Sequence, residues 1–168
     1  MERVSEERLD SFSLFTGLKK EQRERIGLLM AVRTVAAGAV IVNEGEVGDE
    51  LFLLLTGEIV ITKRLTLYSS EGEDKKEKSL IKLRDKDNVF FGEMSLFDDA
   101  ERSATVTAVS NVTCGILSRD QLRSLCEEDP QVGYHIYYNI GRTLSCNLRK
   151  TNRDILKLTT AFCLALDR

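Results

Sequence analysis

The residues whose types and spacing could do chemistry lie between Phe91 and Val106, in the run F-G-E-M-S-L-F-D-D-A-E-R-S-A-T-V. Read physically, this is a strand end, a glycine, a single helical turn, an acidic loop and an arginine opening the next strand. Gly92 lets the backbone come close to a ligand. A turn starting at Glu93 directs the backbone N–H groups of Met94 and Ser95 outward, which suits an anion. Arg102 adds a permanent cation whose planar fork matches phosphate oxygens. Ser103 supplies a hydroxyl and, with Ala104, further amide donors, and both are small enough to leave room for a ligand. Glu93 can accept a hydrogen bond from a sugar hydroxyl, which phosphate binding alone would not require. The alternative is a plain Glu93–Arg102 ion pair on the surface of a turn, and spacing by itself does not decide between the two.

Three regions of different texture must position these groups. Residues 1–33 carry apolar side chains at helical intervals (Phe12, Phe15, Leu18, Ile26, Leu29, Met30), broken at Thr16-Gly17 into a short helix and a longer one from about Lys19. Over 34–117 the texture becomes short β-branched and apolar runs between glycines and acidic clusters, such as Leu51–Leu55, Glu58–Thr62 and Ala104–Ala108. Such strands, close in sequence, predict an antiparallel sandwich or barrel rather than βαβ units. The polar segment 69–78 reads as a solvated hairpin loop. Residues 118–168 are helical again: Ser118 followed by Asp120-Gln121 makes an N-cap and capping pair for a helix ending before Asp129-Pro130, and a long helix runs from about Gln131 into the 160s. Its apolar positions, Ile136, Ile140, Leu144, Leu148, Thr151, Ile155, Leu158, Phe162 and Ala165, settle into alternating steps of four and three, the seam of a two-stranded coiled coil. The first half is expected to pack on its own barrel, and the helix as a whole to pair with a second copy over 136–165.

Composition removes several function classes. With 24 Lys and Arg against 27 Asp and Glu, a net charge of −3 and a pI near 5.4, the chain is not built to neutralise nucleic-acid phosphates. One histidine, His135, excludes a paired-histidine zinc site. Its place near the start of the long helix points to a structural or solvent-facing role rather than a catalytic one. The four cysteines (Cys114, Cys126, Cys146, Cys163) form no C-x-x-C, so no zinc ribbon is expected and reduced thiols are the default. No signal-peptide stretch and no membrane-length apolar run occur, so a cytoplasmic chain without membrane contact is expected. No Ser-His-Asp arrangement, P-loop or paired-carboxylate motif points to an enzyme.

The Phe91–Val106 run resembles the phosphate-binding cassette of the cyclic nucleotide-binding domain family, keeping its glycine, glutamate and arginine at the family interval. A second likeness lies in Ala37–Ile59, similar to the family's early hairpins, with turn glycines at Gly38, Gly45, Gly48 and Gly57. The resemblance implies a mainly β fold: an antiparallel, jelly-roll-like β-roll with N-terminal helices and a long C-terminal helix crossing the pocket. It implies that Glu93 holds a ribose 2′-hydroxyl and Arg102 the cyclic phosphate, with Gly92, Met94, Ser95, Ser103 and Ala104 adding backbone or hydroxyl contacts. Thr143, Asn147 and Arg149 on the last helix are the candidates to cap the base, and Leu53 and Leu83 to line the base or sugar. Two departures stand out: Lys86-Asp87-Asn88 replaces the usual Gly-Asp entry turn, and Glu101 replaces the proline before the arginine.

The expected function is a non-enzymatic sensor that binds cyclic AMP, or alternatively cyclic GMP, needs no metal, and passes its state through a homodimeric last helix to a protein effector. Ser103 after the arginine leans toward cyclic AMP, since relatives with threonine there favour cyclic GMP. The chain reaches Arg168 without the helix-turn-helix of the bacterial regulators, so DNA binding is not expected of it. Two other readings remain open: a scaffold on the same fold without this ligand, and a redox sensor through Cys146 or Cys163.

Overall fold

The computed structural model describes residues 3–69, 72–97 and 101–166. The helices are α1 (Glu6–Asp10), α2 (Lys20–Leu29), α3 (Arg119–Glu128) and α4 (Pro130–Leu166). The strands are β1 (Ala31–Val35), β2 (Val40–Val42), β3 (Glu50–Thr56), β4 (Glu58–Ser69), β5 (Gly72–Arg84), β6 (Phe90–Phe91), β7 (Thr105–Ala108) and β8 (Val112–Ser118). They form two four-stranded antiparallel sheets, ordered β1-β8-β3-β6 and β2-β7-β4-β5. This is the antiparallel β-roll with flanking helices that the sequence predicts, although β1 begins at Ala31, inside the segment read as helical.

Strand β3 shows how one sequence run serves two cores. Side chains alternate across a strand, so Phe52 and Leu54 point between the sheets, against Ile59, Val106 and Ile116. Leu51 and Leu53 point the other way, into the helical layer with Phe12, Phe15, Ile26, Leu122 and Ile136. A strand buried on both faces reads as an unbroken apolar run, which is what Leu51–Leu55 is.

The segment 69–78 departs from its reading as a loop. Strands β4 and β5 stay paired out to Ser69 opposite Gly72, so the polar residues continue a long two-stranded ribbon. Ser70 and Glu71 lie outside the described residues. Helix α3 starts as its sequence predicts: Ser118 Oγ accepts from the Gln121 amide at 3.2 Å while Gln121 Oε1 accepts from the Ser118 amide at 2.9 Å.

Helix α4 spans 37 residues, or ~55 Å at 1.5 Å per residue. Val132, Ile136 and Ile140 are buried against the body, and Asn139 Nδ2 donates to the carbonyls of Leu14 and Thr16 at 2.9 Å each. From Ser145 onward every described residue is exposed. Ile136 and Ile140 are therefore spent on the chain's own core and Leu144 packs against it, so the predicted 136–165 seam loses its first three apolar positions. His135 packs its ring against Gly17 and edge-on to Tyr134 at 5.3 Å, a structural position.

Candidate functional site

A cavity of about 800 Å³ opens between the β2-β7-β4-β5 sheet, the 3-10 turn Glu93–Leu96 and the middle of α4. Arg102 lies at its wall, 8% exposed, in the bend just before β7. Its Nη1 donates to the Glu50 carbonyl at 3.0 Å, to Ser95 Oγ at 2.9 Å and, more weakly, to the Gly92 carbonyl at 3.4 Å. The guanidinium also sits over the Phe52 ring, 5.7 Å from its centroid, and that ring stacks on Phe91 at 5.1 Å. The inter-sheet core thus forms the platform for the cation. Burial lowers the Arg102 pKa, with Glu50, Asp49 and Glu93 pulling it back up, and the group keeps its charge throughout the working pH range.

Two glycines make room for this side chain. Gly92 has φ 82°, and a Cβ there would stand 2.7 Å from both Arg102 Nη1 and the Glu50 carbonyl, so conformation and space both demand glycine. Gly48, read in the sequence as a turn former, has no left-handed backbone. A Cβ on it would come within 2.5 Å of Arg102 Nη2 and 2.7 Å of Nε, so its role is to let the guanidinium lie flat.

Glu93 opens the 3-10 turn directly after Gly92. Burial pushes its carboxyl pKa up, while its own backbone hydrogen bond and the Arg102 charge oppose that shift. A raised folded-state pKa means the fold is favoured by protonation: that stability is complete below the unfolded value near 4.5 and is lost as pH rises through the raised one. Glu93→Gln, which mimics the protonated form, should therefore melt above wild type at pH 7, with the gap closing on acidification to about pH 4. A melting difference that is the same at both pH values would contradict the buried-carboxylate account.

The structure brings Gly92, Glu93, Met94, Ser95, Arg102, Ser103, Ala104, Leu83, Thr143 and Asn147 around the one cavity. Ser95 is buried, its hydroxyl engaged by Arg102 and its carbonyl accepting from Arg119 Nε at 2.9 Å. Thr143 donates its hydroxyl to the Asn139 carbonyl at 3.0 Å, leaving the oxygen lone pairs toward a ligand. Two predicted residues fall elsewhere. Leu53 is fully buried on the helix side of β3, because its pocket-side neighbours on the strand are Phe52 and Leu54. Arg149, two residues past Asn147 and so about 200° around the helix, points away from the cavity and donates to Cys146 Sγ at 3.4 Å. Asp98, Asp99 and Ala100 lie outside the described residues.

Sequence reasoning passed over Ile61 and Lys63 on β4, and Lys150, Thr151 and Asp154 on α4, all of which line the cavity. Their signal was present as spacing: period two along β4, and steps of three and four from Thr143 and Asn147 along α4. Both departures from the family pattern have local explanations. Asn88 takes the left-handed conformation at φ 48° after the 3-10 turn Asp85–Asp87, a role open to Asn as well as Gly. Glu101 is exposed at the cavity rim while its neighbour Arg102 is buried, so its carboxylate meets solvent. Among the described residues no cluster of potential metal ligands exists, and no helix is long and apolar enough to cross a membrane.

A buried cation and a half-buried carboxylate beside a cavity of about 800 Å³ fit a small phosphate ester with free hydroxyls. Comparison with known proteins agrees. The chain is 30% identical over 121 residues, 72% of its length, to the CRP-like cAMP-activated global transcriptional regulator of Mycobacterium tuberculosis. It is 33% identical over 118 residues, 70% of its length, to cGMP-dependent protein kinase, isozyme 1, of Drosophila melanogaster. These matches cover 48% and 14% of the two relatives, so the chain spans at most about half the length of either. A cyclic nucleotide-binding domain from Methylobacillus flagellatus superposes with a TM-score of 0.73 at 26% identity, over 89% of this chain and 79% of that one. The sequence model of the cyclic nucleotide-binding domain matches residues 32–129, more than half of the chain. The chain is a member of the cyclic nucleotide-binding domain family, the regulatory ligand-binding module found in these relatives.

Proposed function

We propose that this chain is a non-catalytic, cytoplasmic sensor of a cyclic nucleotide, cyclic AMP before cyclic GMP, that reports occupancy through α4. The observation that carries the reading is the buried Arg102 beside Glu93 in a cavity whose other wall is α4. In this reading the cyclic phosphate accepts from Arg102 and from the amides near Ser103 and Ala104, while Glu93 accepts from the ribose 2′-hydroxyl. Ser103 in the position after the arginine supports cyclic AMP, as does the relative named as activated by it.

Transmission follows from what the cassette touches. The 3-10 turn Glu93–Leu96 ends at Phe97, whose ring contacts Tyr137 of α4 with centroids 5.7 Å apart. A ligand seated on Arg102 that draws the Glu93 turn inward would move Phe97, and its base would meet Thr143 and Asn147 on the same helix. Only the differential affinity of the ligand for the two helix positions drives such a shift, and ~1–3 kcal/mol is an ordinary coupling. Calorimetry on the wild-type chain tests the reading: saturable one-to-one binding of cyclic AMP, tighter than cyclic GMP, is expected, and no heat with either nucleotide would sink it.

Gly48→Ala provides a sharper check, because the three nearest atoms the new methyl group would meet all belong to the Arg102 guanidinium. Cyclic AMP affinity should fall about tenfold or more, the scale of a misplaced charge-assisted contact, with the melting temperature barely changed.

The exposed half of α4 is read as a dimer seam. Leu148, Ile155, Leu158 and Phe162 follow at steps of seven, three and four, and Leu158 and Phe162 are 71% and 65% exposed. A row of large apolar side chains in water marks an interface. Leu148→Glu with Leu158→Glu is expected to sediment as a monomer where wild type sediments as a dimer. Cysteine pairing across that seam is not part of the reading, since Cys146 and Cys163 fall on its outer side by the same register.

A further inference from the structure

The outer half of α4 carries four of its five cations on one side. Between Arg142 and Leu166 there are five cationic residues (Arg142, Arg149, Lys150, Arg153, Lys157) and a single carboxylate, Asp154, in a chain whose net charge is −3. All are exposed. Arg142, Arg149, Arg153 and Lys157 follow at steps of seven, four and four, one helical stripe opposite the Leu148–Phe162 seam.

Two features set this stripe apart from an ordinary solvated face. Arg149, Arg153 and Lys157 stand at i, i+4 spacing, where like charges repel and weaken the helix. A helix composed for water alone gains by placing Glu at such positions. Among the described residues the one ion pair on this stretch is Asp154 with Lys157 at 3.7 Å. Second, Leu156 and Leu164, 67% and 65% exposed, lie within the same angular band as the cations and outside the seam. Cations interleaved with two large aliphatic side chains match a carboxylate-rich amphipathic surface.

We propose that the outer face of α4 docks an acidic amphipathic helix of a partner protein, one per protomer. Its carboxylates would meet Arg142, Arg153 and Lys157, and its apolar residues Leu156 and Leu164. The proposal rests on the dimeric-sensor reading, and it names the effector surface which that reading lacks. Symmetry favours a protein over a membrane: in a two-fold dimer whose axis follows the paired helices, the two stripes face in opposite directions. A flat anionic bilayer reaches one of them, whereas a protein occupies both. Leu156 and Leu164 favour a protein over a nucleic-acid backbone, which offers nothing apolar to them. Thr143, Asn147 and Thr151 line the nucleotide cavity from another side of the same helix, so one rigid element carries both the sensor wall and the docking face.

The test uses a labelled synthetic helix with Glu at steps of seven, four and four and Leu set to meet Leu156 and Leu164, read by fluorescence anisotropy with the full chain. Binding of one peptide per protomer is expected, weakening about tenfold or more as salt rises from ~50 to ~300 mM. The variant Arg142→Glu, Arg153→Glu, Lys157→Glu should lose the peptide by about tenfold or more and gain a charge-swapped peptide with Lys for Glu. That gain shows that the variant is folded. No binding by wild type, a variant that keeps the original peptide, or tighter binding of wild type to phosphatidylserine vesicles or duplex DNA would overturn the proposal. Sedimentation and cyclic AMP calorimetry on the same preparations separate the failures. A nucleotide-binding dimer that ignores the peptide sinks the docking face alone, and a monomer sinks the dimer seam together with the one-per-protomer stoichiometry.

Discussion

Arg102→Ala is expected to weaken cyclic AMP binding by about 30- to 700-fold, or ~2–4 kcal/mol, the usual loss when one member of a buried, hydrogen-bonded charge pair is truncated. The size follows from where the guanidinium lies. It is held by two backbone carbonyls and Ser95 Oγ and backed by the Phe52 ring, so its ordering cost is already met before the ligand arrives. A cyclic phosphate then gains a fixed cation in a half-enclosed site where charge is poorly screened. Arg102→Lys should recover only part of the affinity, since an ammonium carries the charge without the planar fork. Calorimetry of both variants checks the pair. An alanine variant within threefold of wild type would remove the cyclic phosphate from this site.

Phe52→Ala should produce the largest loss of stability. The ring is fully buried between the sheets and stacked on Phe91. Removing a buried phenylalanine costs ~3–5 kcal/mol, which at ~2–4 °C per kcal/mol for a chain of this size lowers Tm by roughly 6–20 °C. The same change takes away the platform under Arg102, so affinity should fall along with stability. Phe52→Leu keeps most of the apolar volume and separates the two effects: it should restore most of the Tm but less of the affinity, because only an aromatic face attracts the guanidinium. A Phe52→Ala chain melting within a degree or two of wild type would show that the inter-sheet core does not depend on this ring.

Much of this site was legible because it is local in sequence. Gly92, Glu93 and Arg102 lie within one short segment, and their chemistry could be read without knowing how the sheets pack. What failed was nonlocal or lacked an apolar signal. Leu53 could not be assigned to a face from its own neighbourhood, because Leu51–Leu55 is apolar at every position and both faces of β3 are covered. Beyond Thr62 the β4–β5 ribbon is defined by backbone pairing, and a charged sequence there looks like a loop. Gly48 reads as a turn residue in sequence, because a glycine there announces freedom. The space it leaves for a side chain 54 positions away becomes visible only when Arg102 is seen against it. On α4 the error was angular: Thr143 and Asn147 share a face that continues to Thr151 and Asp154, and Arg149 lies off it.

In the proposed switch the length of α4 would act as a lever. Its fulcrum would be the buried stretch Val132–Ile140 and its load end the exposed tip near Leu166, with a ligand in the cavity pushing just beyond the fulcrum, at Thr143 and Asn147. From Ile140 to Leu166 the arm is ~39 Å long, so a tilt of about 5° at the pocket sweeps the tip through roughly 3 Å. Displacements too small to notice among the ligand's hydrogen bonds become, at the far end, comparable to the spacing between side chains.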